Sequence, residues 1–276
     1  MDYIELNIPV ADAEQADIIT AYLSDWPFES FQYESGTLKA YIPQERMADC
    51  KDEIDALLVG QGIAGVRMVS IETQNWNALW ECNFQPVDVD GRIMIRAPFH
   101  PSPADGVLDI VIMPKMSFGT GHHATTWLMS AAVADGDFAG QEGLDMGSGT
   151  GVLAIAAVKY GAAHVDAVDI DEWAYENCIE NIATNGVSDK VTPIMGDASA
   201  IAGRTYDFIL ANINRNILLA DMPRYAAATR RGGRLYMSGI LEADVEAVLS
   251  RAAEFGFEHV ATRLRDGWAM VECRLY

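Results

Sequence analysis

The stretch that decides how this chain folds is Leu144-Asp145-Met146-Gly147-Ser148-Gly149-Thr150-Gly151-Val152-Leu153. Its pattern predicts the end of a buried strand, a tight turn and the start of a helix. Glycine at every second position removes three side chains where the backbone must bend, which leaves the turn open to close approach by a ligand. A second acidic residue, Asp169, ends the next apolar run 22 residues after Gly147. These two features together predict the nucleotide-binding plan of a doubly wound α/β sheet, with Asp169 placed to hold ribose hydroxyls.

The glycine spacing indicates which nucleotide binds. A dinucleotide site is typically G-x-G-x-x-G, whereas here the third glycine comes one position early. The spacing Asp-x-Gly-x-Gly-x-Gly is similar to the first motif of S-adenosylmethionine-dependent methyltransferases. From Gly143 to Asp171, Lys159 is the only cationic side chain against four acidic ones, which suits a net cationic ligand better than a pyrophosphate. We therefore expect S-adenosylmethionine as the cofactor, bound over Gly147 and Gly149.

The charge of the chain restricts its partners. It has 276 residues and a net charge of −21, with 40 acidic and 19 basic side chains. Because no cluster of Lys and Arg is present to track phosphates, binding to nucleic acid or to an anionic membrane is disfavoured. A basic partner is favoured by the opposite field, although acidity that serves only solubility remains an alternative. We expect a monomer, although the sequence leaves the oligomeric state open.

Four cysteines are scattered through the chain with no C-x-x-C spacing, so neither a metal site nor a disulfide framework is expected. This fits a reducing compartment. The first five residues carry acids where a signal peptide would carry Lys or Arg, and the apolar runs are too short to span a bilayer. We therefore expect a cytoplasmic protein.

The order of elements divides the chain into three parts. Residues 1–73 predict strand-helix-strand-strand-helix-strand, the split βαβ order of a small ferredoxin-like α+β domain with a net charge of −10. This part is either a recognition module or a dimerising or stabilising appendage. Residues 74–104 predict a connector with a helical stripe of Trp76, Trp80 and Phe84. Residues 105–276 alternate strand and helix and end in two strands that flank Asp266-Gly267, a strong hairpin signal.

Three further residues are candidates for the site. Asn212 follows the apolar strand Phe208-Ile209-Leu210, where open sheets bind ligands, and its carbonyl oxygen can accept a hydrogen bond from an attacking amine. The alternative is an Asn that satisfies local backbone groups. Asp197 follows the strand 191–195 and is placed to reach an adenine amino group.

Thr126 ends a Gly- and Thr-rich flap, where it either reaches the methionine part of the cofactor or, like Thr125, caps a helix. The adjacent His122 and His123 have no acidic or Cys neighbour, so we expect no metal.

With these residues in place, the chain resembles the ribosomal protein L11 methyltransferases, a family of bacterial protein-lysine methyltransferases. The matching segments are 118–126 (Phe-Gly-Thr-Gly-His-His-Ala-Thr-Thr), 144–157, 168–171 (Val-Asp-Ile-Asp), 211–213 (Ala-Asn-Ile) and 238–241 (Ser-Gly-Ile-Leu). The resemblance covers essentially the whole chain. It implies a doubly wound Rossmann-like methyltransferase sheet with a C-terminal antiparallel hairpin behind the ferredoxin-like domain.

The resemblance also implies an activity. It implies methyl transfer from S-adenosylmethionine to lysine ε-amines and to the N-terminal α-amine of ribosomal protein L11. The implied cofactor contacts are Thr126, Gly147, Asp169 and Asn212, and the N-terminal domain would recognise the substrate and swing on the connector. Two residues depart from the family pattern: Ala124 replaces a frequent Pro, and Asn214 replaces an apolar residue, which puts the shape of the acceptor pocket in doubt.

The chemistry expected is attack by a neutral amine, held by Asn212, on the methyl group. A lysine with a pKa of about 10.4 must first lose a proton. The sequence shows no general base, so water is expected to take that proton. Two other functions remain open from the residues alone. One is a methyltransferase acting on another protein or on a small molecule; the other is a nicotinamide-dependent oxidoreductase, against which the early third glycine argues.

Overall fold

A computed structural model describes residues 3–71, 85–115 and 119–276. The chain divides into two compact units, Met1–Asn83 and Phe84–Tyr276. The expected stripe of Trp76, Trp80 and Phe84 lies outside the described residues, as does Phe118 of the flap. The domain limits 1–73, 74–104 and 105–276 stay predictions.

The smaller unit is a four-stranded antiparallel sheet with two helices. Its elements are β1 (Tyr3–Pro9), α1 (Ala13–Leu23), β2 (Ser30–Glu34), β3 (Thr37–Pro43), α2 (Gln44–Gly60) and β4 (Arg67–Ile71). The strand order is β2-β3-β1-β4, which confirms the ferredoxin-like expectation. Helix α1 begins where the side chain of Asp12 accepts a hydrogen bond from the Gln15 N–H at 2.9 Å, as an N-cap should. The fully buried Leu6 and Ile8 of β1 alternate with more exposed residues and face the core.

The larger unit is built on a seven-stranded sheet. The elements of this unit that precede the glycine turn are β5 (Val87–Val89), β6 (Ile93–Arg96), β7 (Leu108–Val111), α3 (Ala124–Asp135) and β8 (Glu142–Met146). Those that follow it are α4 (Val152–Lys159), β9 (His164–Asp169), α5 (Glu172–Thr184), β10 (Val191–Met195), β11 (Tyr206–Asn212), α6 (Arg215–Ala228), β12 (Thr229–Leu241), α7 (Val245–Glu254), β13 (Phe257–Arg265) and β14 (Trp268–Leu275).

The sheet order is β10-β9-β8-β11-β12-β14-β13. The strands from β10 to β12 are parallel, and β14 and β13 add to them antiparallel. The order of the chain reverses between β8 and β11, which is the switch point where ligands bind in such sheets. The turn between β13 and β14 has Asp266 at φ +51° and Gly267 at φ +77°, the two positive values that a tight two-residue hairpin needs. The expected sheet and its final hairpin are therefore confirmed.

Close packing holds the strands and helices of this unit together. Every residue from Val152 to Val158 of α4 is buried, as expected for a helix that is apolar all round. A Cβ on Gly143 of β8 would lie 2.0 Å from the Phe208 ring, so glycine at this position makes room for an aromatic side chain of β11. A separate small sheet joins β5, β6 and β7. Among the described residues no helix is long and apolar enough to cross a membrane.

Candidate active site

The glycine turn after β8 is shaped by the residues packed against it. Gly147, Gly149 and Gly151 have φ values of +71°, +53° and +77°, a region that favours glycine. A Cβ on Gly147 would lie 2.1 Å from Cγ2 of Ile213, and one on Gly151 would lie 2.6 Å from Sγ of Cys178. Both the backbone conformation and the available space therefore require glycine at 147 and 151.

Asp169 at the end of β9 holds this turn by its carboxylate. Its Oδ2 accepts a hydrogen bond from the Gly149 N–H at 2.8 Å, and its Oδ1 accepts one from the Asp171 N–H at 3.0 Å. Each carboxylate oxygen can accept more than one hydrogen bond, so the two oxygens keep free lone pairs for further donors. Asp169 thus fixes the turn and still offers acceptors to a ligand.

A cavity of 430 Å³ lies at the carboxyl ends of the parallel strands. Its volume falls within the range of about 300–1,000 Å³ that is typical of small-molecule sites. Five of the six residues expected in the site line it, namely Gly147, Gly149, Asp169, Asp197 and Asn212. The sheet therefore brings residues from four different strand ends to one place, although they are spread over 66 positions of the chain.

The sixth expected residue, Thr126, lies beside the cavity and does not line it. It is 1% exposed in the first turn of α3, and its Oγ1 accepts a long hydrogen bond, 3.5 Å, from Nδ2 of Asn212. The Oδ1 atom of Asn212 is buried and has no hydrogen-bond partner among the described residues. A buried acceptor without a partner is costly unless a ligand or substrate supplies the donor.

The start of α3 differs from the expectation for Thr125 and Thr126. His123 is the N-cap residue: its side chain accepts a hydrogen bond from the Thr125 N–H at 3.3 Å, and its Nδ1 lies 2.8 Å from Thr125 Oγ1. An imidazole nitrogen can act as such an acceptor, and the Thr126 hydroxyl is left for its contact with Asn212. The alternative that Thr125 or Thr126 caps this helix is therefore wrong.

Asp145, one of the four acidic residues counted in favour of a cationic ligand, does not line the cavity. It is 1% exposed, and its Oδ2 accepts a hydrogen bond from the Ala154 N–H at 3.0 Å in the first turn of α4. Its Oδ1 has no partner in the part of the chain that is described. Burial raises the pKa of this carboxyl to about 7, partly offset by the Ala154 hydrogen bond. Asp145 anchors the helix behind the turn.

Sequence reasoning missed several lining residues. Ile170, Ile213 and Ile217 line the cavity with apolar side chains, and Asp171 and Asp221 add carboxylates. Ile170 is 71% exposed although it is large and apolar. Such exposure of an apolar side chain indicates a binding surface. In the sequence, the only signal was an apolar residue directly after the strand-ending Asp169.

Asn214 raised doubt about the acceptor pocket, and the structure gives it a local role. It is the N-cap of α6, where its Oδ1 accepts a hydrogen bond from the Ile217 N–H at 3.2 Å. Its side chain is exposed and does not line the cavity. Asn214, which departs from the family pattern, therefore serves to cap the N-terminus of α6.

A seven-stranded sheet with an antiparallel end, a glycine turn and an acid-lined cavity at the switch point define a Rossmann-like methyltransferase. The sequence model of a family described as ribosomal protein L11 methyltransferase (PrmA) matches residues 9–275. The chain therefore belongs to the ribosomal protein L11 methyltransferase family, whose members are S-adenosylmethionine-dependent protein methyltransferases. This confirms the expected family and enzyme class, and it decides against a nicotinamide-dependent oxidoreductase.

Individual relatives agree with this assignment. The chain is 43% identical over 259 residues to a protein of Porphyromonas gingivalis named ribosomal protein L11 methyltransferase, covering 92% of this chain and 88% of the relative. It is 40% identical over 278 residues to a protein of the same name from Bacteroides fragilis, covering 99% of both. Among solved structures, the ribosomal protein L11 methylase of Lactobacillus delbrueckii superposes with a TM-score of 0.65 at 26% identity, covering 70% of this chain and 100% of the other.

The residues of the cavity fit the family's cofactor. Gly147 and Gly149 leave bare backbone at the cavity wall, and the lining carries the carboxylates of Asp169, Asp171, Asp197 and Asp221 with no Lys, Arg or His among the described lining residues. This suits a ligand that carries an ammonium and a sulfonium and has no phosphate.

Proposed function

We propose that this protein transfers methyl groups from S-adenosylmethionine to amino groups of ribosomal protein L11, at lysine ε-amines and at the N-terminal α-amine. The names of the curated relatives support L11 as the substrate. The resemblance of the motifs supports amines as the acceptors. We further propose that the protein acts in the cytoplasm as a monomer.

The observation that carries this proposal is the convergence, in a single cavity, of a glycine turn, two strand-end acids and one amide oxygen that has no partner within the described residues. The turn at Gly147 and Gly149 would lie under the cofactor. Asp169 would bind its ribose hydroxyls. Asp197 would accept a hydrogen bond from the adenine amino group, beside the one that its Oδ1 accepts from the Ser199 N–H at 2.8 Å.

Thr126 and Asn212 would act together at the reacting end of the cavity. Thr126 is expected to contact the methionine part of the cofactor, as the resemblance implies. Its hydroxyl also accepts the hydrogen bond from Nδ2 of Asn212. When bound, S-adenosylmethionine supplies a methyl group activated by a cationic sulfur. The chain's own task is to present an amine in the correct protonation state and orientation.

Asn212 would orient the acceptor amine. A lysine of pKa about 10.4 is mostly protonated near neutral pH, so it must lose a proton before its lone pair is available. The buried Oδ1 of Asn212 has no partner among residues 3–71, 85–115 and 119–276, and it would accept an N–H of the neutral amine, which directs the lone pair into the cavity. Water is the proposed proton acceptor. Positioning of this kind contributes up to about 7–11 kcal/mol in well-oriented reactions.

The smaller unit would recognise the substrate. Residues 1–73 hold 14 acidic and 4 basic side chains, a net charge of −10. Ribosomal proteins are generally basic, and opposite charges accelerate encounter and favour the correct partner. We propose that this unit binds L11 and moves relative to the larger unit on the connector.

The test is methyl transfer with radiolabelled S-adenosylmethionine to purified L11, to the other large-subunit proteins and to small-molecule amines. Mass spectrometry of the products should show methylated lysines and a methylated N-terminus on L11. Label on another protein or on a small molecule alone would overturn the substrate assignment. A related L11 methyltransferase of known activity serves as the positive control. If it labels L11 and this protein labels no acceptor, the proposed methyl transfer would be overturned.

A further inference from the structure

Three asparagines line one face of α5 and its end. Asn177, Asn181 and Asn185 are spaced by four residues, which places their side chains one above another on a helix. Asn177 and Asn181 are fully buried. Because a buried amide is costly without partners, each of these side chains must have a specific hydrogen-bonding role.

All three amides bind backbone groups of β7 or of the segment that follows it, Asn177 through a long hydrogen bond, 3.4 Å, to the Met113 carbonyl. The Asn185 side chain pairs with both backbone groups of Val111: its Oδ1 accepts from the N–H at 3.0 Å and its Nδ2 donates to the carbonyl at 2.6 Å. Oδ1 of Asn181 accepts from the Met113 N–H at 2.8 Å. These side chains supply the hydrogen bonds that a neighbouring strand would otherwise make.

Asn181 alone of the three also reaches the glycine turn. Its Nδ2 donates to the carbonyl oxygen of Thr150 at 3.0 Å and to Oδ1 of Asn177 at 2.6 Å. Thr150 is fully buried, and its Oγ1 donates to the carbonyl of Gly119 at 2.7 Å. Residue 150 is therefore fixed through both its backbone and its side chain.

Two side chains thus hold the turn from opposite sides. Asp169 binds the N–H of Gly149 at the cavity wall, and Asn181 binds the carbonyl of the following residue, Thr150, from the buried side. Backbone hydrogen bonds also hold the turn: the Gly147 and Ser148 N–H groups donate to the Val168 carbonyl, and the Gly151 N–H donates to the Ser148 carbonyl at 2.8 Å. Because glycine on both sides of Thr150 is conformationally permissive, the two side-chain hydrogen bonds add restraints on how these peptide groups point.

We propose that Asn181 is a positioning residue for cofactor binding, which acts by holding the Thr150 carbonyl and thereby the shape of the turn that lines the cavity. The proposal rests on the proposed function, because it takes S-adenosylmethionine as the ligand of that cavity. Asn185 makes comparable hydrogen bonds to Val111, accepts one from Lys159 and donates one to the Asn181 carbonyl, but makes none to the turn, so we expect it to serve stability only.

The two asparagines provide a matched pair of variants. Asn181→Ala and Asn185→Ala both remove side-chain hydrogen bonds to β7 and the segment after it, so both should lower Tm. Calorimetric titration of the full chain with S-adenosylmethionine should show about tenfold weaker binding for Asn181→Ala, the equivalent of one lost hydrogen bond, and unchanged affinity for Asn185→Ala. In turnover measurements, KM for the cofactor should rise in Asn181→Ala more than kcat falls.

Asn181→Leu keeps a similar side-chain volume and loses the donor to Thr150, so it should also weaken cofactor binding, and it serves if the alanine variant fails to fold. Equal cofactor affinity in wild type and both Asn181 variants, with Tm lowered, would reduce Asn181 to a structural residue and overturn the proposal. Failure of the wild type itself to bind S-adenosylmethionine would instead overturn the proposed function, so the two failures are distinguishable.

Discussion

The side-chain amide of Asn212 is held by the hydroxyl of Thr126, with Nδ2 and Oγ1 3.5 Å apart although the two residues are 86 positions apart in sequence. Both residues are buried. In this contact Nδ2 of the amide faces the hydroxyl, and the opposite end, Oδ1, is left without a partner in the described part of the chain. Thr126 therefore orients the oxygen that we propose receives the acceptor amine.

Replacement of Thr126 by Val should release this amide. The variant keeps the shape of the side chain and loses the acceptor, so Asn212 can rotate and present either end to the substrate. We expect kcat for L11 methylation to fall by a factor of a few to about ten, the range for one neutral hydrogen bond. Steady-state kinetics with L11 measures this.

Thr126→Ser is the matched control, since it keeps the hydroxyl and should retain most of kcat. Asn212→Ala should lose more activity than Thr126→Val, because it removes the amide itself. If Thr126→Val and Thr126→Ser had the same kcat, the hydroxyl would have no part in orienting Asn212.

The Asp169 carboxylate should contribute strongly to cofactor affinity. Asp169→Asn removes the negative charge and weakens the hydrogen bonds that it accepts from Gly149 and Asp171. Hydrogen bonds to charged groups contribute about 1.5–3 kcal/mol, so the Kd for S-adenosylmethionine should rise by about 10- to 100-fold in calorimetry. Asp189→Asn, an exposed position away from the cavity, removes the same charge and should leave Kd unchanged. Equal Kd values for the two variants would show that Asp169 does not hold the cofactor.

Most of the fold followed from local sequence signals. The alternation of short apolar strands with helices predicts the doubly wound sheet, and Asp266-Gly267 predicts the final hairpin because both residues tolerate positive φ. Strand β5 was not predicted, since three residues carry no readable period. The positions of Asp169, Asp197 and Asn212 were predictable because each one follows an apolar strand.

The contacts behind the site were not predictable from local pattern. Asn177 and Asn181 are polar residues on a helix, which favours a solvent-facing side, yet they are buried against segments more than 30 positions away. The cap of α3 by His123 depends on one ring nitrogen facing one N–H, which spacing does not reveal. The burial of Asp145 likewise depends on how α4 packs over the turn.

Gly147 should not tolerate even one methyl group. In Gly147→Ala the Cβ would lie 2.1 Å from Cγ2 of Ile213, and alanine at φ +71° adds backbone strain. Ile213 lines the cavity, so its displacement should deform the site. We expect a lower Tm and at least about tenfold weaker cofactor binding. In the double variant Gly147→Ala/Ile213→Ala the clash is gone and the strain remains, so part of the lost stability should return; no recovery would mean that backbone strain alone accounts for the effect.

Asp145 should make stability depend on pH in an unusual direction for a carboxylate. Burial raises its pKa from 3.8 to about 7, so between these values the folded chain binds a proton that the unfolded chain releases. By linkage, the contribution of Asp145 to the free energy of unfolding is complete below about pH 4, falls as the pH rises, and levels off above about pH 7, by at most about 4 kcal/mol.

Asp145→Asn isolates this contribution, because an amide oxygen can still accept the hydrogen bond from Ala154 and does not titrate. Urea unfolding of both proteins, followed by circular dichroism at several pH values between 4.5 and 8, gives the difference in unfolding free energy at each pH. The stability of the wild type relative to Asp145→Asn should decline steadily up to about pH 7, because ionisation leaves a buried charge whose Oδ1 has no partner among the described residues. Parallel curves for the two proteins would mean that Asp145 is ionised, and stabilised by groups other than Ala154, throughout this range.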